Sequence, residues 1–83
     1  MGTSFEFYQK GVEKYNSCDY KGAIMNFDKE IEINPGCAKA FHVRGFAKYM
    51  IADKDGAFLD WLKAAELGGR GVHGIIEKYF SSA

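Results

Sequence analysis

This sequence contains little that would interrupt a helix, and no excess of charge. It has a single proline, Pro35, and no segment that alternates apolar and polar residues long enough for a half-buried strand. Eleven basic and eleven acidic residues cancel to zero net charge. With no cationic run to track phosphates or anionic lipid, neither nucleic acid nor a membrane surface is an expected partner. Zero net charge also makes self-association easier. No apolar stretch approaches the roughly 20 residues that a membrane span needs. The opening residues, Met1 to Glu6, hold no signal-peptide core, and Glu6 stands where myristoylation needs Ser or Thr. The expectation is a cytoplasmic protein, although a domain trimmed from a longer exported chain would look the same. Cysteine is scarce too. Cys18 and Cys37 flank a segment read below as a helix of about 14 residues, about 21 Å long. That exceeds the ~7 Å between Cα atoms that a disulfide tolerates, so free thiols in a reducing compartment are expected.

What is present is a folded composition: 47% hydrophobic and 16% aromatic in 83 residues. A chain of this size forms one small domain and buries only about 60% of its unfolded surface. Its main feature is self-similarity at an offset of 34 residues. Shifted by that offset, Phe7, Gly11, Lys14, Tyr15 and Asp19 fall on Phe41, Gly45, Lys48, Tyr49 and Asp53. Gly22, Ala23, Lys29 and Glu32 likewise fall on Gly56, Ala57, Lys63 and Glu66, and Phe27 falls on Trp61. A fixed period of this length marks stacked repeats, each too small to bury its apolar face alone.

Each period reads as two amphipathic helices. Phe5, Phe7, Tyr8, Gly11, Val12 and Tyr15 recur at helical spacing, predicting a helix over about 4–17. Asp19 is placed to cap a second helix, which carries Ala23, Ile24, Phe27 and Ile31 and stops at Asn34-Pro35-Gly36. The second period predicts helices over about 38–51 and from Asp53 to about Leu67, stopped by the glycines of 68–71. Val72, Ile75, Ile76, Tyr79 and Phe80 make a fifth amphipathic helix. Gly11 and Gly45, with Ala23 and Ala57, are expected where paired helices approach closely, and Phe27 and Trp61 are expected to fill the gap between the pairs.

In spacing and residue type the chain resembles the tetratricopeptide repeat family. The matching residues are Phe7, Gly11, Tyr15, Asp19, Ala23, Phe27 and Pro35 in the first copy. In the second they are Phe41, Gly45, Tyr49, Asp53, Ala57 and Trp61. The resemblance implies an all-α fold, a right-handed superhelical stack of antiparallel helix pairs. It divides the chain into one repeat over 4–37, a second over 38–70 and a capping helix over 71–82, all in one domain spanning 1–83. Lys10, Lys14, Lys48 and Glu30 depart from the family pattern, and the second copy ends in Gly-Gly where proline is usual. The segment from Trp61 to Gly68 is also similar to Sel1-like repeats, whose longer period does not fit the offset.

The resemblance also implies a concave groove lined by the first helix of each pair. Carried over by position, its residues are Tyr8, Val12, Tyr15, Lys39, His42, Phe46, Tyr49, Met50, His73 and Ile76. Aromatics and a methionine would make an adaptable apolar surface. Against this, Tyr15, Phe46 and Tyr49 fit equally well as packing between neighbouring helices. A subclass of the family grips C-terminal carboxylates with Lys, Asn and Arg. Tyr8, Val12, Val43, His73 and Glu77 occupy those positions here and match none of them, which favours an apolar or self-derived ligand. Catalysis finds little support: His42 and His73 are not accompanied by an acid–base–nucleophile pattern, and Cys37 with His42 lacks further metal ligands. The expectation is a non-enzymatic protein-interaction module, without cofactor or metal, binding a peptide or partner helix. The alternative is a self-associating homodimer unit, with exchange of the capping helix as one route.

Overall fold

The computed structural model describes residues 4–69 and 71–80; of Ser4 and His73 the backbone alone is described. Residues 1–3, 70 and 81–83 of the expected domain lie outside the described residues. Five helices run in order: α1 (Ser4–Asn16), α2 (Tyr20–Ile33), α3 (Ala38–Met50), α4 (Lys54–Glu66) and α5 (Val72–Phe80). There is no strand among the described residues. Each helix packs on the next in sequence, and α1 also touches α3.

The turns repeat as the sequence does. The Asp19 carboxylate accepts a hydrogen bond from the Gly22 amide at 3.0 Å, and Asp53 accepts from Gly56 at the same distance. Each satisfies one of the orphan donors that open a helix. The ends of α1, α3 and α4 share one closing motif. The amides of Asp19, Asp53 and Gly69 reach back five residues to the carbonyls of Lys14, Lys48 and Ala64, at 2.8 Å in each case. Such a closure needs a left-handed residue just before the reaching amide. Cys18 (φ 64°), Ala52 (φ 70°) and Gly68 (φ 87°) supply it, and only the last is the residue type that adopts this conformation without steric cost.

Two apolar clusters form the core. One gathers Ala23, Phe27, Ala40 and Ala47 from α2 and α3. The other gathers Phe41, Ala57, Trp61, Ala64 and Val72 from α3, α4 and α5. Phe27 and Trp61 are fully buried at equivalent positions. Each lies across the glycine of its own pair: a Cβ at Gly11 would stand 2.6 Å from the Phe27 ring, and one at Gly45 would overlap the Trp61 indole. The Trp61 indole N–H donates to the His42 carbonyl at 3.0 Å.

The seam between the pairs holds charge as well. Arg44 on α3 forks onto Asp60 of α4, with Nε and the second guanidinium nitrogen at 2.8 and 2.7 Å from its two oxygens. Its remaining nitrogen reaches Asp28 of α2 at 2.7 Å. Lys48 adds a contact to Asp60 at 3.2 Å. Burial alone would pull the Arg44 guanidinium down, but its bonds to Asp60 and then Asp28 outweigh that and push it above its usual range. A single arginine thereby links α2, α3 and α4.

Candidate interaction groove

Two open depressions lie on the first helices of the two pairs. The first, of about 320 Å³, is lined by Phe5, Tyr8, Gln9, Val12 and Glu13 of α1. The second, of about 370 Å³, is lined by Ala38, Lys39 and His42 of α3 with Gly68 and Gly69 of the α4–α5 link. Shifting Phe5 and Tyr8 by the repeat offset gives Lys39 and His42, so the two depressions share two positions one repeat apart. Four of the sequence-predicted groove residues line them: Tyr8, Val12, Lys39 and His42.

The remaining predicted residues lie elsewhere. Tyr15 is half-buried and meets Tyr20 edge-on, centroids 5.4 Å apart. Phe46 and Tyr49 are packed against Trp61, with centroids at 5.0 and 5.9 Å, and both meet Tyr79 of α5. Ile76 packs on the same cluster. Met50 is exposed at the end of α3. The side chain of His73 lies outside the described residues. Phe5, Gln9, Glu13, Ala38, Gly68 and Gly69 line the depressions without having been singled out as groove residues. Phe5 carried a usable signal, being one step from Tyr8 on the same helical stripe. The glycines carried none, because they reach α3 only through the packing of α4 on it.

The electrostatics of the face are mild. His42 is held below its usual range by burial, so its ring stays neutral near pH 7. Its ring lies 5.4 Å from that of Phe46. The Tyr8 hydroxyl is pushed up, first by burial and then by the neighbouring Cys37 and Glu30. The Cys37 thiol is also raised, chiefly by burial, with a hydrogen bond to Glu30 adding to it. Both cysteines are free thiols. No three His, Cys, Asp or Glu side chains cluster as a metal ion would require among the described residues. No helix among them is long and apolar enough to cross a membrane. The first depression offers aromatic area from Phe5 and Tyr8 with Gln9 and Glu13 at its rim.

No protein-family model matches the chain, and no curated protein matches it.

Proposed function

We propose that the chain is a tetratricopeptide-like right-handed stack, and that it acts as a non-enzymatic interaction module holding a peptide or partner helix along α1 and α3. The observation that carries this is the two depressions on the first helices, which share two positions one repeat apart. The recurring close contacts and turns support the stacking: Gly11 on Phe27 and Gly45 on Trp61, and the left-handed Cys18 and Ala52. Phe5, 62% exposed, and the half-buried Tyr8 and Val12 give the first depression the aromatic and aliphatic area that anchors a bound segment.

The test is to pan a displayed library of random peptides against the chain and measure the selected peptides on point variants. Phe5→Glu and Lys39→Glu alter one depression each at exposed side chains and should each weaken binding about tenfold or more, the loss of one good anchor. Met25→Glu, at an exposed site on α2 that lines neither depression, should leave it unchanged. Equal binding by all three variants would place the peptide elsewhere and contradict the reading.

Self-association is the second reading. Phe5, Met25, Leu59 and Met50 are each more than half exposed, a large apolar share for so small a surface of zero net charge.

A further inference from the structure

Glu30 is the least expected buried residue of this fold. It is 2% exposed, and its Oε1 has no hydrogen-bond partner. Such an oxygen has lost its bonds to water and gained none, which weakens whatever contact buries it. At the repeat offset Glu30 falls on Ala64, which is fully buried and clusters with Val72 at the start of α5. Glu30 correspondingly stands at the start of α3, where the thiol of the N-cap Cys37 hydrogen-bonds to it as a weak donor. The ion pairs among the described residues are made elsewhere. Arg44 pairs with Asp28 and Asp60, Lys48 with Asp60, Lys14 with Asp19 and Lys63 with Glu66. The first seam is thus built around an unsatisfied acid where the second has a methyl group.

The rest of that seam compensates little. To the buried part of the first cluster α3 contributes Ala40 and Ala47, so few apolar atoms leave water there. Phe27, the large buried side chain of that cluster, lies across Gly11 of its own pair. Ile31 of α2 adds a partly buried contact to the second cluster. The ion pair that crosses to α2, Arg44 with Asp28, ends on a carboxylate half exposed to water, where it is worth little. Beyond the seam, α3, α4 and α5 share Phe41, Ala57, Trp61, Ala64 and Val72. The Trp61 ring there lies 5.6 Å from both Tyr79 and Phe80 of α5.

We propose that the α2–α3 seam is a built-in opening point, at which α1 and α2 come away together while α3, α4 and α5 stay folded, and that Glu30 is the residue that loosens it. A single helix pair is too small to bury its own apolar face, so α1 and α2 unfold once released. One depression lies on α1 and the other on α3, so the same opening parts the two. On the groove reading given above, a segment that touches both holds the seam shut. The opening itself does not rest on that reading.

The experiment is native-state hydrogen exchange on the full chain, followed residue by residue by NMR at low denaturant. The slowest amides of α1 and α2 should exchange about tenfold or more faster than the slowest amides of α3 and α4. Glu30→Met fills a similar space without a carboxyl group. It should slow both sets by about tenfold, the size of one unmade buried hydrogen bond, because the seam breaks in the partial and in the global opening alike. A common rate for the slowest amides of all four helices in the parent chain would overturn the opening point, and that measurement needs no variant. A Glu30→Met chain in which α1 and α2 exchange as fast as in the parent, or faster, or which folds less well than the parent, would overturn the role of Glu30.

Discussion

Gly45 and Ala52 make opposite demands on the backbone seven residues apart. At Gly45 the helix is regular, but a Cβ would overlap the buried Trp61 indole. Gly45→Ala gains helix propensity and overpacks the seam, and overpacking of this kind costs about 1–3 kcal/mol. At Ala52 space is free, but φ is 70°, where an L-residue carries a penalty of about 1–2 kcal/mol that glycine avoids. Ala52→Gly should therefore raise stability by up to about 1 kcal/mol after the added freedom of the unfolded chain is set against it. Urea midpoints of the two variants check this. Midpoints that move in the same direction would contradict the account. The glycine at 45 was legible in the sequence because it repeats Gly11. The strain at 52 was not, since Ala and Cys at equivalent sites give no hint of a left-handed turn.

At the scale of the helices, the sequence was read almost to the residue. Apolar spacing, the caps Asp19 and Asp53, and the stops at Pro35 and Gly68 bound each element locally, and the structure places the same five helices. Its charged seam was not foreseen. Arg44 falls on Lys10 at the repeat offset, yet it holds Asp60 and Asp28 from two other helices, contacts that only packing creates. Asp60 is 4% exposed, so Asp60→Ala leaves Arg44 with a much weaker set of partners in a poorly solvated place. The expected cost is about 3–5 kcal/mol. Asp28, with its side chain half exposed, should cost no more than about 1 kcal/mol when replaced by alanine. Thermal melts of both variants distinguish a seam held through Asp60 from one in which all three charges are equivalent. The burial of Glu30 escaped the sequence for the same reason: amphipathic spacing does not tell which charged residue will be turned inward.

Taken whole, the molecule is elongated and thin, with Cα extents of 47, 26 and 16 Å. A helix with its side chains is about 10–12 Å across, so the shortest dimension is little more than one helix deep. Of the ten expected groove residues, Phe46, Tyr49 and Ile76 are spent on packing with Trp61 and α5. What stays open lies along Tyr8, Val12, Lys39 and His42. The central claim is that this face is free for a partner. Light scattering after size-exclusion chromatography, over about a hundredfold range of concentration, tests it most directly. The account predicts a mass of 9.3 kDa throughout. A mass that doubles with concentration, and returns to the monomer in Phe5→Glu, would show the face covered by a second copy and would contradict it.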